Sequence, residues 1–275
     1  MRLFAGRFWF LTICIAVIVY GCAHNPYAKT NKIYKQQAKQ FARKLQPVPE
    51  RLYLDSAVMP VYAVGTTNFD LRKPNFVIIH HTAQNSCEQT LKTFTLQRTK
   101  VSAHYVICKD GTIHHMLNDY LRAWQAGVSK WGNFTDINSS SIGIELDNNG
   151  SEPFPQAQIT SLIKLLDTLK RNYSIPTANF IGHADVAPGR KVDPSAYFPW
   201  QTLAQRGFGL WYDTTAVIVP PYFDAQQALR IIGYNVKDTV SAIHSFKLHF
   251  VPQDTTRTLT DDDNKILFDL SRRYQ

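Results

Sequence analysis

The chain changes texture three times. An apolar run from Phe8 to Tyr20 follows Arg2 and Arg7. From there to about residue 60, polar and basic positions prevail, with only Ile33, Phe41 and Leu45 giving a helical stripe. From Asn75 onward the periodicity of a folded domain sets in. "FVIIH" reads as a buried strand, and "CEQTLKTFTLQR" (87–98) has helical spacing at Leu91, Phe94 and Leu96. "AHYVICKDGTIHHML" reads as a strand, a Lys-Asp-Gly turn and a second strand. "SIGIEL" (141–146) is another buried strand. Residues 155–173 carry apolar positions at Ile159, Leu162, Ile163, Leu166 and Leu169, an amphipathic helix. "NFIGH" (179–183) is a short strand. Strands alternating with helices and joined by a hairpin predict an α/β domain with a mixed central sheet flanked by helices. After Trp211, "DTTAVIVPPYF" reads as a Pro-Pro linker. Three short helical patterns then follow at 224–232, 238–250 and 260–273, expected to form a small separate module of binding type.

Composition narrows this picture. With 275 residues and 44% hydrophobic content the chain can bury a sizeable core. Its net charge of +9, from 30 Lys+Arg against 21 Asp+Glu, suits an anionic partner. No basic run interleaved with aromatics and no helix-turn-helix cue is present, so nucleic acid is not the expected partner. The apolar run Phe8–Tyr20 is short of the 20 or so residues of a membrane helix and reads as a signal peptide, the other reading being an uncleaved signal anchor. It ends in "VYGC", which resembles a bacterial lipobox with Cys22 as the residue to be lipidated, although Tyr20 departs from the usual small or medium residue. Ala23, rather than Asp, follows Cys22, which in such lipoproteins implies sorting to the outer membrane.

The expected organisation is therefore a signal peptide (1–21), a basic tether (22–60), an α/β domain (61–212), a linker (213–221) and a helical module of binding type (222–275). The tether either carries a helix that skims an anionic surface or is a plain solvated linker. In an oxidising periplasm Cys87 and Cys108 could pair, or could remain two buried thiols.

The candidate chemistry gathers at strand ends and in one loop. In "NFVIIHHTAQ", His80 and His81 follow four apolar residues, and alternation along a strand lets only one of them serve a given face. His183 opens "HADVAPGRKVDPSAYFPW", a Pro- and Gly-punctuated loop carrying Asp185, Lys191 and Asp193. Glu145 interrupts an otherwise apolar strand, where a carboxylate is costly unless paired or functional. Two histidines, one or two aspartates, a glutamate and a lysine in such places fit a zinc site of three protein ligands with spare acid/base groups.

In this order, "VIIHHTA", "VSAHYVICKDG", "AWQAGVSKW", "SSIGIELDN" and "GHADVAPGRKVDP" resemble the zinc-dependent N-acetylmuramoyl-L-alanine amidases, the type-two amidase fold shared with peptidoglycan recognition proteins. The lipobox and helical tail resemble its outer-membrane lipoprotein branch. The resemblance covers residues 70–212 closely and 222–273 loosely. It implies a zinc hydrolase of wall turnover or recycling that acts on peptidoglycan or muropeptides, lipid-anchored to the outer membrane and facing the periplasm; a monomer is expected. It implies Zn²⁺ ligands His80, His183 and Asp193, with Glu145 as catalytic carboxylate and Lys191 beside the scissile carbonyl. His80 is implied over His81 because the family ligand precedes the varied residue of "H-x-T-A". Tyr105, His81 and Trp124 are lesser candidates for lining the pocket.

Two departures stand out: Gln125 where the bacterial branch usually has His, and Ser195-Ala196 where Gly-Pro is common. Asp185 reads as a loop brace and His104 as structural or substrate-lining. Trp131 reads as pocket wall or core, His114 and His115 as solvent-facing, and His244 and His249 as incidental. Two other readings stay open: a non-catalytic peptidoglycan-binding lipoprotein, which would require loss of a zinc ligand, and an unrelated metallohydrolase on a similar scaffold.

Overall fold

The computed structural model describes residues 25–45, 68, 71 and 73–274. The signal peptide and Cys22 lie outside the described residues. The chain divides into two compact units, Met1–Thr67 and Asn68–Gln275.

The first unit contains helix α1 (Ala28–Lys44), none of whose residues is buried. At about 100° per residue, Ile33, Tyr34, Ala38, Phe41 and Ala42 fall on one side of it. Lys29, Lys32, Lys35, Lys39 and Arg43 fall on the other, and the helix contains no acidic residue.

The second unit is built on a five-stranded sheet of order β3-β2-β4-β1-β5. Its strands are β1 (Phe76–His81), β2 (Tyr105–Ile107), β3 (Ile113–His115), β4 (Ser141–Leu146) and β5 (Phe180–Gly182). β1 runs parallel to β4 and β5, and β2 parallel to β4; β2 and β3 form the antiparallel hairpin around the Lys-Asp-Gly turn. The mixed sheet flanked by helices matches the architecture expected from the periodicity. Helices α2 (Cys87–Thr95), α3 (Ile137–Ser140), α4 (Gln156–Tyr173), α5 (His183–Val186) and α6 (Trp200–Gln205) complete the part up to residue 212. α2 starts where Ser86 accepts a hydrogen bond from the Gln89 amide, and a disulfide joins Cys87 at its first turn to Cys108 just after β2, with Cα atoms 5.4 Å apart.

Alternation along the strands divides the core into two layers. Val77, Ile79, Tyr105, Ile107, Ile142, Ile144 and Leu146 face α4, whose Ile159, Leu162, Leu166 and Leu169 sit in the same cluster. Phe76, Ile78 and Ile181 lie in the other cluster, together with Leu229, Ile232, Phe246, Phe250, Leu267 and Leu270. Those last six belong to α7 (Ala225–Ile232), α8 (Thr239–Phe250) and α9 (Asp261–Arg273). The helical tail does not form a module with a core of its own. It covers the second face of the sheet, because β strands that are apolar on both sides need a layer on each. Asp224, Asp238 and Thr260 cap the three tail helices by accepting hydrogen bonds from Gln227, Ser241 and Asp263 amides.

Candidate metal centre

His80 and Glu145 are register partners on adjacent parallel strands. Paired residues point to the same side, so both emerge on the face that carries Phe76 and Ile78, at the C-terminal ends of β1 and β4. His183 follows β5 directly and opens α5. Asp193 returns through the loop to the same place, where its carbonyl accepts a hydrogen bond from the Ala184 amide at 2.8 Å.

Three donor atoms converge. His80 Nδ1 lies 2.9 Å from His183 Nδ1, and each lies 3.0 Å from Asp193 Oδ2. All three residues are buried. The second nitrogen of each imidazole is engaged elsewhere. His80 Nε2 meets Gln125 Oε1, whose own Nε2 donates to Ser141 Oγ at 2.8 Å. His183 Nε2 donates to the Ala126 carbonyl at 3.1 Å. With both Nε2 atoms committed as donors, both Nδ1 lone pairs turn inward beside a carboxylate oxygen. Such a group repels itself unless a cation or a proton lies among its members. The spacing is within a few tenths of an ångström of the edge of a zinc tetrahedron, about 3.3 Å for bonds of 2.0–2.1 Å. The donor set fits a divalent zinc ion.

The electrostatics agree. Burial disfavours a charged His80, yet Glu145 and Asp193 outweigh it and raise its pKa, so the cluster favours positive charge at that position. Burial and the neighbouring His80 push His183 down to about 4. Burial would raise Asp193, but its contacts with His183 and His80 hold it well below the usual carboxylate range. Burial raises the Glu145 carboxyl, against the pull of His80 and Lys191. Glu145 Oε2 is out of reach of solvent and has no hydrogen-bond partner among the described residues.

Comparison with known proteins adds an independent line. The profile of the family described as N-acetylmuramoyl-L-alanine amidase matches residues 70–196. N-acetylmuramoyl-L-alanine amidase AmiD of Escherichia coli K12 is 35% identical over 208 residues, which span 64% of this chain and 74% of AmiD. The chain belongs to the N-acetylmuramoyl-L-alanine amidase family. The 1,6-anhydro-N-acetylmuramyl-L-alanine amidase AmpD of Haemophilus influenzae is 38% identical over 107 residues, 38% of this chain and 58% of AmpD. Among solved structures, E. coli AmiD in complex with the substrate anhydro-N-acetylmuramic acid-L-Ala-D-γ-Glu-L-Lys superposes with a TM-score of 0.68 at 30% identity. That match covers 78% of this chain and 96% of AmiD. AMPDH3 from Pseudomonas aeruginosa, in complex with anhydromuramic pentapeptide, gives 0.69 at 27% identity over 79% and 98% of the two chains.

This amidase brings His80, His183, Asp193, Glu145 and Lys191 together. Lys191 is anchored by its amide on the Ala187 carbonyl at 3.1 Å, and its charge acts on Glu145 and His81. His81 is not among the converging donors: its Nδ1 accepts the Ser195 amide at 3.1 Å, and Gly150 packs against its ring, so it supports the loop just beyond Asp193. Trp124 is 55% exposed and next in sequence to Gln125, so it is neither core nor enclosed wall. Trp131 is core, packed on Tyr234. Tyr105 is not at the site. It pairs with Ile144, one residue before Glu145, and so faces the α4 side, where its hydroxyl donates to Asp119 at 2.8 Å. His104 is structural, accepting the Gly143 amide on Nδ1 and donating from Nε2 to the Leu121 carbonyl.

The sequence reading missed two residues. Gln125 holds His80, and it lies so close over β4 that a Cβ on Gly143 would meet its Cγ at 2.7 Å. That accounts for a glycine in the middle of a buried strand. His249, read as incidental, is buried and donates from Nδ1 to Asp185 Oδ2 at 2.7 Å. Asp185 braces the loop as expected, but it does so against the tail. The one signal pointing to Gln125 was its departure from the family's usual His; for His249 there was none.

Proposed function

We propose that this chain is a zinc-dependent hydrolase of peptidoglycan or its fragments, cutting the amide between the lactyl group of N-acetylmuramic acid and L-alanine. The observation that carries this reading is the convergence of His80 Nδ1, His183 Nδ1 and Asp193 Oδ2 beside a buried Glu145 oxygen that has no partner among the described residues. The amidase activity named for AmiD and AmpD supports it, as does the muropeptide bound to AmiD. A binding-only protein of this fold would lack a ligand, and all three positions are filled here.

His80, His183 and Asp193 would hold the ion. Bound there, zinc supplies a Lewis acid toward water and the substrate carbonyl. Glu145, its pKa raised by burial, takes a proton from the attacking water as the new C–O bond forms, and passes it to the alanine nitrogen as the C–N bond breaks. The Lys191 ammonium opposes the negative charge that grows on the carbonyl oxygen. Gln125 and the Ala126 carbonyl keep the two imidazoles oriented throughout.

Mass spectrometry of muropeptides treated with the mature protein tests the reading. Free stem peptides beginning at L-alanine should appear, vanish with a chelator and return with zinc. Intact muropeptides in the presence of bound zinc would sink it.

Cys22 would be lipidated and the protein held as a monomer at the outer membrane, facing the periplasm. Helix α1, none of whose residues is buried and which has basic and apolar sides and no acid, suits an anionic lipid surface. Radiolabelled fatty acid should be incorporated by the wild type and not by Cys22→Ala; a soluble, unlabelled wild type would rule the anchor out.

A further inference from the structure

The tail helices end up against the loop that carries two of the three converging ligands. Asp185 is the contact point. It lies two residues after His183, is 1% exposed, and has three donors on its carboxylate. The Tyr234 hydroxyl donates to Oδ1 at 2.8 Å. His249 Nδ1 and the Gly182 amide each donate to Oδ2 at 2.7 Å. Tyr234 sits between α7 and α8, and its ring packs edge-on against Trp131 and Phe246. His249, in the last turn of α8, stacks flat on Trp200 with ring centroids 3.9 Å apart.

The Gly182 bond alone would satisfy one lone pair and close the turn locally, so the other two donors call for a reason. Burying a carboxylate is costly, and it is tolerated only when its oxygens are well served. Here the service comes from two different places in the tail. The carboxylate is thereby fixed relative to α8 and not only to its own turn. The next link is short: Ala184, between His183 and Asp185, donates its amide to the Asp193 carbonyl. A shift of Asp185 would therefore reach His183 along the chain and Asp193 through that bond.

We propose that Asp185 is a positioning residue, through which Tyr234 and His249 of the helical tail hold the metal-ligand loop in its binding geometry. The tail would then be part of the hydrolytic unit, and not an appended wall-binding module. This rests on the zinc reading above only for its second readout.

The test uses the full mature chain. Tyr234→Phe removes one hydroxyl and keeps the packing. Asp185→Asn keeps the shape and removes the charge. His249→Leu removes the donor, and His249→Gln restores one. In the metal-free protein, amide hydrogen exchange over residues 183–193 should accelerate about tenfold or more in Tyr234→Phe and His249→Leu, while the α4 amides stay as in wild type. His249→Gln should recover most of the protection. Zinc affinity, measured by competition with a chromophoric chelator, should fall about 10- to 100-fold in Asp185→Asn, the size seen for outer partners of metal ligands. It should fall less in Tyr234→Phe, and the double variant should fall by less than the product of the two. Unchanged loop exchange in both tail variants would overturn the proposal. So would a lowered melting temperature with zinc affinity and loop exchange both at wild-type values. A wild-type chain that binds no zinc would instead defeat the zinc reading, and the exchange measurement would still decide the role of Asp185.

Discussion

Replacing Gln125 by leucine isolates one part of the candidate metal centre. Gln125 Oε1 is the acceptor for His80 Nε2, and its Nε2 rests on Ser141 Oγ, which in turn donates to the Ile137 carbonyl at 2.6 Å. Leucine fills similar space over Gly143 but accepts nothing. Ser141 keeps a partner in Ile137, so the damage falls on His80. Its Nε2–H becomes a buried donor with no acceptor, which costs about 1–3 kcal/mol. Alternatively the proton moves to Nδ1, and the lone pair facing His183 and Asp193 is lost. Either way the penalty falls on the metal-loaded form. Without metal, a neutral ring carrying its proton on Nδ1 can donate to Asp193 and leaves no orphan N–H. The expected loss is therefore about 1.4–2.8 kcal/mol of zinc binding, or about 10- to 100-fold in affinity. Competition with a chromophoric chelator at fixed pH reads it directly. Gln125→His, the residue usual in the bacterial branch, should stay within a few-fold of wild type, because an imidazole can also accept. Gln125→Leu binding zinc within twofold of wild type would refute the idea that Gln125 sets the tautomer of His80.

Other expectations follow from the same geometry. Glu145→Gln should keep zinc but lose about 10²- to 10⁴-fold in turnover, the range for a missing acid/base group; loss of zinc instead would mean Glu145 is a ligand. His80→Ala should abolish zinc binding while His81→Ala mostly spares it, and equal losses measured by metal analysis would mean the two have been assigned the wrong way round. Lys247, fully buried in α8, is held by Asp254 at 2.5 Å, Thr256 at 2.9 Å and Asp263 at 3.0 Å. Lys247→Met leaves the buried Asp263 without its cation and should cost about 3–5 kcal/mol in a denaturant titration. Burial lowers the Lys247 pKa, but the hydrogen bonds it donates to Asp254 and Asp263 outweigh that and raise it above the usual 10.5. Its stabilisation is thus present in full below the unfolded value and fades as pH rises through the folded one. The wild-type denaturation midpoint should fall above pH 10.5 more steeply than that of Lys247→Met; parallel curves would contradict the sign.

By itself, the sequence determined a good deal. The strands follow from short continuous apolar runs and the principal helices from a period of 3.6, because these signals are local. The candidate ligand types were legible too, since His80 and Glu145 on apolar strands are costly there and call for a use, and one loop gathers His183 and Asp193. Tertiary structure decided what depends on facing. Parallel register put Glu145 beside His80 and turned Tyr105 to the opposite side of the sheet, a one-residue difference that no local pattern specifies. It also decided that the tail covers a sheet face. An amphipathic helix announces that it needs an apolar partner but not which one, so the same pattern is compatible with a free module and with a shared core. Gln125 on His80, and Tyr234 and His249 on Asp185, are contacts between residues far apart in the chain, made only when the layers close.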